Sequence, residues 1–492
     1  MTPPSPPPKL RVLLTGATGY VGGRLVPGLL QEGHAVRCMV RNPEALRARD
    51  WAGNVEIVRG DVLDPDTLAD AMEGVDIAYY LIHSLGGGAG YAARDIRAAD
   101  HFASAAARAK VKRIVYLGGI FREDAAFSDH LRSRRETGEA LRNAGVPVTE
   151  FRAGVIVGSG SLSFEIIRYL TERVPFLICP RWVYTRAQPI GIRDVLHYLT
   201  AAIHTPESSG KIIEIGGDEI VTYGEMMLAY ARVRGLRRYM IPVPVLTPRL
   251  SSYWVDLVTP IPAAIARPLI QGLKNEVVVA DDSAKTLFPD IQPVPFQTAL
   301  ERALRRLDAG EVETAWTDAT NRIDDNHPPV EITTREGIII ERRQRHVQAD
   351  PPTVYRIFSG IGGQRGWFFM NFAWRLRGAL DRMVGGVGLR RGRRDPDDLR
   401  PGDALDFWRV EQVDAPRLLR MRAEMKVPGR AWLAFETHED GHGGTRLTQT
   451  AFFAPKGLPG FLYWYILYPI HALIFSGLIR QIAKRSEKAS TQ

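Results

Sequence analysis

Cysteine is nearly absent from this chain of 492 residues, which contains only Cys38 and Cys179. Two cysteines cannot build a disulfide framework, and Cys38 lies in an apolar run that indicates a buried strand. The sequence therefore predicts a reducing, cytoplasmic location. The first eight residues, MTPPSPPP, lack the apolar stretch of a secretory signal and indicate a disordered tail over residues 1–9.

Clustered charge and metal-ligand spacing are also scarce. The formal net charge is +9, but the arginines are spread along the chain, and only the RRGRR segment at residues 390–394 is a tight basic cluster. No RNA-binding signature or zinc-ligand spacing accompanies that cluster, so a solvated basic loop is the simplest interpretation. We therefore expect neither a nucleic-acid partner nor a metal site.

The first part of the chain has the pattern of an α/β doubly wound parallel sheet. Short apolar runs alternate with helical stretches from residue 10 to about residue 199. The predicted strands are residues 11–15, 35–40, 55–59, 77–82, 113–117 and 148–152. We place this domain at residues 10–308.

The last part of the chain follows a different pattern. An acidic and polar stretch over residues 309–334 is the predicted linker. A domain at residues 335–490 then contains one strand, a short helix, several further strands and a long apolar helix, which together indicate an α+β fold. Its predicted strands are residues 337–347, 404–413, 417–425, 431–439 and 445–453, and its last helix covers residues 459–488.

A glycine-rich segment follows the first predicted strand. It reads Thr15-Gly16-Ala17-Thr18-Gly19-Tyr20-Val21-Gly22. Gly16 permits a tight turn, Gly19 lets the backbone approach a pyrophosphate, and Gly22 allows helix and strand to touch. The helix N-terminus supplies N–H donors and a favourable dipole for phosphates. This segment predicts a dinucleotide-binding site.

The residue after the second strand bears on which dinucleotide is bound. Sites for NAD commonly place an acidic residue there, which binds the ribose 2′-hydroxyl. This chain has Arg41 followed by Asn42, and arginine suits a 2′-phosphate through a charge-assisted hydrogen bond. A solvent-facing arginine is the alternative interpretation. The sequence favours NADP(H) over NAD(H).

The TGxxGxxG spacing resembles the extended and atypical short-chain dehydrogenase/reductase superfamily, especially its NmrA-like members. Further segments match in order: Gly60-Asp61-Val62, Tyr80-Leu81-Ile82-His83, residues 151–154 and residues 188–195. The resemblance implies that Asp61 and Val62 contact adenine and that Leu81 lies beside the cofactor ribose and nicotinamide. It covers roughly residues 10–308 and implies an NAD(P)H-dependent oxidoreductase.

The same resemblance implies a catalytic group that this chain lacks. The superfamily uses a Tyr-x-x-x-Lys pair, in which lysine lowers the tyrosine pKa, together with a serine after the fifth strand. Here that strand ends in Gly118, the tyrosine position holds His130 or Leu131, and the lysine position holds one of two arginines, Arg134 or Arg135.

Arginine does not deprotonate usefully near neutral pH. The remaining candidate acid–base groups are His83, Tyr91 and His130.

Two functions remain open. Hydride transfer to a quinone or enone needs little side-chain acid, because the acceptor is already electrophilic. Alternatively, the chain binds NADPH without turnover, as a sensor, a scaffold or a membrane-linked assembly factor. We favour the reductase.

Residues 335–490 resemble a domain of uncharacterised function that often follows this type of dehydrogenase and is placed in the START-like SRPBCC, or helix-grip, superfamily. The matching stretches are residues 361–367, 374–382, 384–394, 407–410, 424–433, 447–451 and 463–465. That superfamily wraps an antiparallel sheet around a long C-terminal helix and encloses an apolar cavity. The resemblance therefore implies an apolar small-molecule or lipid-like ligand.

The last predicted helix contains an uncharged run from Leu458 to Ile479, long enough to span a bilayer. Pro469 and His471 interrupt this run, and its aromatic residues do not gather at two interfaces. We rank a helix that covers a cavity first, peripheral contact with the inner face of the membrane second, and a membrane span third. The sequence does not indicate an oligomeric state.

Overall fold

A computed structural model describes residues 9–43, 46, 49–82, 91–122, 129–243, 272–308, 330–335, 337–388, 399–440 and 443–490. The chain divides into two compact units. The first contains residues 1–171 and 175–323, and the second contains residues 172–174 and 324–492. The tail predicted for residues 1–9 lies outside the described residues apart from Lys9.

The first unit contains a seven-stranded sheet in the order β3–β2–β1–β4–β5–β6–β11, with parallel neighbours throughout. Because helices cover both faces, the strands are near-continuous apolar runs, and Val12, Leu13 and Leu14 of the first strand are fully buried. The strands of this unit are β1 (Arg11–Thr15), β2 (Ala35–Val40), β3 (Glu56–Arg59), β4 (Ile77–Tyr80), β5 (Arg113–Gly119), β6 (Val148–Ala153), β7 (Ile156–Val157), β8 (Phe176–Cys179), β9 (Arg186–Ala187), β10 (Ile190–Gly191), β11 (Ile212–Ile215), β12 (Val221–Thr222) and β13 (Tyr239–Pro242).

Helices lie on both faces of this sheet. Leu25 and Val195 belong to the apolar core of one face, whereas Leu68 and Phe102 belong to the core of the other. The helices are α1 (Tyr20–Gln31), α2 (Pro65–Met72), α3 (Tyr91–Arg108), α4 (Asp129–Arg142), α5 (Leu162–Arg173), α6 (Ile192–Ala201), α7 (Tyr223–Arg234), α8 (Ser283–Leu287) and α9 (Phe296–Asp308). The doubly wound parallel fold predicted for this domain is confirmed.

The second unit contains a seven-stranded antiparallel sheet in the order β14–β15–β20–β19–β18–β17–β16. Its strands are β14 (Val330–Arg335), β15 (Ile338–Val347), β16 (Ala404–Leu405), β17 (Trp408–Asp414), β18 (Leu418–Ala423), β19 (Gly429–Glu439) and β20 (Thr445–Pro455). Its helices are α10 (Pro351–Ser359), α11 (Asn371–Met383) and α12 (Gly457–Ser490). Helix α12 packs against β15, β20 and α10. The α+β prediction is confirmed.

Several segments differ from the sequence prediction, among them the strand predicted at residues 404–413, which is divided into β16 and β17. Strand β14 occupies residues that we assigned mainly to the linker, which was placed at 309–334, because its backbone pairs antiparallel along β15. Strand β11 was not among the predicted strands, and its four residues complete the sheet beside β6. Residues 309–329 of the predicted linker and the basic cluster at 390–394 lie outside the described residues.

Candidate cofactor site

The glycine-rich segment forms the tight connection between β1 and α1. Gly16 has a φ of +80°, and a Cβ at this position would lie 2.5 Å from the carbonyl oxygen of Leu81. A Cβ on Gly22 would lie 2.3 Å from the carbonyl oxygen of Gly16. Gly19 stands at the N-terminal end of α1 and adds no capping side chain. The backbone is therefore packed so closely that only glycine fits at Gly16 and Gly22.

The loop lies where the order of the strands reverses. Strand β1 is followed in space by β2 on one side and by β4 on the other. The hydroxyl of Thr15 donates a buried hydrogen bond of 2.9 Å to the carbonyl oxygen of Tyr79, which ties the end of β1 to β4. In open α/β sheets, ligands bind in the crevice at such a reversal, outside the carboxyl ends of the strands.

Within the loop, Ala17 is buried whereas Thr18 and Gly19 are exposed. Tyr20 opens α1, where the guanidinium of Arg24 lies 4.2 Å from the centre of its ring. Val21 packs against the core on the α1 face of the sheet. A helix leaves its first N–H groups without intrahelical partners, so the exposed loop at this terminus can present donors to a phosphate.

The other predicted cofactor residues lie at the carboxyl ends of neighbouring strands. Arg41 and Asn42 follow β2 and are exposed. Asp61 follows β3, where its carboxylate accepts a 3.0 Å hydrogen bond from the N–H of Leu63. Val62 beside it is buried. Because β2, β3 and β4 run parallel to β1 in the same sheet, the fold brings these residues and Leu81 to the edge that holds the loop.

The positions of the usual catalytic pair hold no acid or base among the described side chains. Gly118 and Gly119 end β5, and a Cβ on Gly119 would lie 3.5 Å from the Leu131 side chain. The guanidinium of Arg134 donates to the carbonyl oxygen of Leu117. Arg135 is 3.5 Å from Glu139 one turn later. The first contact joins α4 to β5 and the second lies within α4, so both arginines have structural roles.

Tyr116, on β5, cannot replace the missing tyrosine. Burial raises the pKa of its phenol to about 12, the opposite of the shift that a catalytic tyrosine requires. Its hydroxyl donates to the backbone oxygen of Arg134 over 3.1 Å.

The three candidate acid–base residues remain predictions. His83 lies outside the described residues, as do the side chains of Tyr91, the first residue of α3, and His130, the second residue of α4.

Sequence reasoning did not single out a buried ion cluster beside the β5 end. Glu150 of β6 is 1% exposed, and its carboxylate binds the guanidinium groups of Arg142 on α4 and Arg152 on β6. A Cβ on Gly118 would lie 3.3 Å from the same carboxylate. A glutamate and an arginine two residues apart in a predicted strand were the available signal. The cluster fastens α4 to the sheet at the level of the catalytic positions.

Comparison with known families agrees with this geometry. Residues 16–165 match a family described as NAD(P)H-binding. The first unit therefore carries an NAD(P)H-binding Rossmann domain. Residues 337–478 match a family described as a protein of unknown function, DUF2867, so that domain is present in the second unit.

Individual relatives match only part of the chain. A 3 beta-hydroxysteroid dehydrogenase/Delta 5-->4-isomerase of Mycobacterium tuberculosis is 36% identical over 116 residues, which are 22% of this chain and 30% of that protein. The ceramide reductase of Caulobacter vibrioides is 29% identical over 244 residues, which are 47% of this chain and 73% of that protein. The triphenylmethane reductase of Citrobacter sp., solved with NADP(H), is 21% identical with a TM-score of 0.48 and covers 60% of this chain and all of that one.

Proposed function

We propose that this chain is an NADPH-dependent reductase of a hydrophobic acceptor, such as a quinone or an enone. The proposal is carried by the combination of two features. The glycine loop connects β1 to α1, and the residue directly after β2 is an exposed arginine, Arg41, and not an acidic residue. The names of two relatives point to apolar substrates, a ceramide and a 3 beta-hydroxysteroid.

The loop and Arg41 act on different ends of the cofactor. The α1 N-terminus, opened by Gly16 and Gly19, binds the pyrophosphate through N–H groups and the helix dipole. Arg41 binds the 2′-phosphate, which NADH lacks. Arginine keeps its charge at any physiological pH, so this preference does not depend on titration.

The acceptor class follows from the catalytic positions. Bound NADPH supplies a hydride, and a quinone that takes up this hydride and one proton becomes a hydroquinone while NADP⁺ remains. Gly118 and Leu131 offer no proton at the positions described above. An acceptor that is electrophilic by itself suits such a site, and water or one of His83, Tyr91 and His130 provides the proton.

The cofactor proposal is tested with Arg41→Ala. Loss of a charge-assisted contact worth about 1.5–3 kcal/mol weakens NADPH binding roughly 10- to 100-fold and leaves NADH binding unchanged. Binding is measured by fluorescence titration of both nucleotides. Arg108→Ala is the matched control, because Arg108 is exposed in the last turn of α3, at the opposite edge of the sheet. An equal loss for NADPH and NADH would overturn the assignment of Arg41.

Turnover separates the reductase from its alternative, an NADPH-binding scaffold or sensor. The observation that favours the alternative is that His130 or Leu131, with Arg134 or Arg135, stands where the Tyr-x-x-x-Lys pair is expected. The reductase oxidises NADPH when quinones or enones are added, which is followed at 340 nm. Tight NADPH binding without oxidation across the acceptor panel would establish the scaffold.

For the second unit we propose a helix-grip domain that binds an amphiphilic ligand between its sheet and α12. Polar side chains are buried on the sheet face that meets this helix. Arg343 of β15 pairs with Glu341 and donates to the hydroxyl of Ser476 on α12 over 3.1 Å. Gln449 faces Arg343 across the strand pair.

Several of these buried polar atoms lack protein partners. Among the described residues, both amide atoms of Gln449, Nδ1 of His471 and Nε1 of Trp464 are buried without a hydrogen bond. Burial, and to a smaller extent the positive charge of Arg377, lowers the pKa of His471 to about 4 and keeps the imidazole neutral. A buried amide without partners costs about 1–3 kcal/mol, so a ligand with both donor and acceptor groups in its head would be stabilised there.

Native mass spectrometry of the purified full chain tests this ligand site. We expect a co-purifying amphiphile that is lost or reduced in Gln449→Leu. Gln344→Leu is the control, because Gln344 occupies the opposite face of β15. Equal ligand content in the wild type and in Gln449→Leu would exclude Gln449 as an anchor.

We further propose that the second unit contacts the inner, anionic face of the cytoplasmic membrane. Helix α12 is long and apolar enough to span a membrane, but one side of it packs on the sheet, where Phe461, Trp464 and Leu478 are buried. This packing supports peripheral contact over a span. Its exposed apolar residues form a stripe at helical spacing: Leu458, Leu462, Tyr465, Ile466, Ile470 and Leu473.

Helix α11 carries a second exposed stripe. The residues, which are 49–82% exposed, are Phe372, Leu376, Leu380, Met383 and Val384. Arg375 and Arg382 are exposed on the same helix. An apolar stripe beside arginines is typical of a helix that lies in the surface of an anionic bilayer.

A further inference from the structure

A separate cluster of metal-ligand side chains lies at the edge of the first sheet opposite the cofactor loop. Glu32 follows α1, His34 directly precedes β2, and His204 ends the 3₁₀ turn after α6. Oε2 of Glu32 is 2.8 Å from Nε2 of His204 and 3.4 Å from Nε2 of His34. One ligand atom from each of the three residues lies within 4.8 Å of the others.

His34 is enclosed by protein and its polar atoms are poorly satisfied. Its side chain is 1% exposed, the 3.4 Å contact of Nε2 with Oε2 of Glu32 falls short of hydrogen-bond geometry, and Nδ1 makes no hydrogen bond within the described part of the chain. The ring stacks on that of His204, with centroids 5.7 Å apart, so both imidazoles are held at one place.

The surrounding backbone favours a cation. Helix α1 ends immediately before Glu32, and α6 ends immediately before the turn that carries His204. The carboxyl ends of both helix dipoles are negative. The two helices lie close together here, since a Cβ on Gly28 would be 3.7 Å from the hydroxyl of Thr200.

We propose that Glu32, His34 and His204 bind a divalent transition-metal ion of the Zn²⁺ type. Two imidazole nitrogens and one carboxylate are a common zinc ligand set, with water completing the tetrahedron. Zinc bonds of about 2.1 Å place neighbouring ligand atoms roughly 3.4 Å apart, which is the distance between Oε2 of Glu32 and Nε2 of His34. The His204 imidazole, which is 2.8 Å from the same oxygen, has to move outward by about 0.6 Å to bind the ion. The cluster lies away from the cofactor edge, so the ion has a structural role and not a catalytic one. It joins α1 to the turn after α6 and stabilises the domain.

Zinc binding to the full chain is measured by isothermal titration with ZnCl₂ after removal of metal with a chelator. We expect one ion per chain and a higher Tm on addition of Zn²⁺, but no shift with Mg²⁺, which prefers oxygen ligands. His204→Gln and Glu32→Gln each weaken zinc binding at least tenfold. These residues are partly exposed, so the variants test the site without emptying the core.

His197→Gln is the matched control, since His197 is an exposed histidine of α6. It leaves zinc affinity unchanged. The proposal is overturned if no saturable binding occurs at micromolar ZnCl₂, or if the control and the two ligand variants bind zinc as tightly as the wild type. The first result would leave Glu32 and His204 as an ordinary ion pair.

Discussion

Gly16 illustrates how a single residue determines the cofactor loop. Its φ of +80° lies in the left-handed region, and the carbonyl oxygen of Leu81 stands 2.5 Å from where a Cβ would be. A side chain at this position must displace the backbone at the end of β4 or change the turn itself. Either movement shifts the backbone N–H groups that we propose bind the pyrophosphate.

We therefore expect Gly16→Ala to weaken NADPH binding. Backbone strain of about 1–3 kcal/mol corresponds to a loss of roughly 5- to 150-fold when it falls on the bound state. Fluorescence titration measures the affinity. Gly145→Ala is the control, because Gly145 has a φ of +81° with nothing within 4 Å of its Cβ position. If Gly145→Ala weakened NADPH binding equally, strain at the loop would not be the cause.

At the scale of elements, α4 is held on the sheet by buried charges. Glu150 of β6 bonds to Arg142 of α4, and its second oxygen accepts a 2.7 Å hydrogen bond from Arg152. Gly138 allows this close approach, because a Cβ there would lie 2.6 Å from Oε2 of Glu150. The position of α4 thus depends on one carboxylate that binds two guanidinium groups.

Glu150→Gln removes that carboxylate charge and leaves both arginines uncompensated. We expect the free energy of unfolding of the first unit to fall by about 3–5 kcal/mol, as for other buried pairs that lose one partner. Urea unfolding followed by circular dichroism measures the change. Lys112→Met is the control, because it breaks a surface ion pair with Asp76. We expect it to change the free energy of unfolding by less than about 1 kcal/mol. Similar changes in both variants would argue against a buried cluster.

At the scale of the whole molecule, the proposed membrane contact combines the net charge of +9 with the two apolar stripes. We expect the full chain to sediment with vesicles that contain phosphatidylglycerol more than with neutral vesicles. Raising the NaCl concentration from about 0.1 M to 1 M shortens the Debye length from about 10 Å to 3 Å and reduces binding.

The double variant Leu376→Glu/Leu380→Glu tests the contribution of α11 to vesicle binding. We expect it to sediment less with anionic vesicles. Ile220→Glu/Ile241→Glu introduces the same charges at exposed apolar positions of the first unit and leaves binding unchanged. Equal loss in the two double variants would show that net charge alone governs binding.

Much of the fold was accessible from local sequence pattern. All six strands predicted in the first domain have observed bounds within two residues at both ends; β4 ends two residues early, at Tyr80, and β5 ends two residues late, at Gly119. Long apolar runs between turn residues specify such strands without help from the rest of the chain. Strand β11 was missed because it has only four residues and owes its place to pairing with β6.

The chain alone determined the glycine spacing, the arginine after β2, and the lack of the usual catalytic pair, because each depends on residue identity within a few positions. Tertiary structure decided which residues meet. It joined Glu32 and His34 to His204, about 170 positions away, placed Glu150 between two arginines, and buried Gln449 against α12. A metal site was not expected from the sequence because no local spacing marks it. Such contacts arise only when the helices and strands pack, since packing brings together side chains that the order of residues separates.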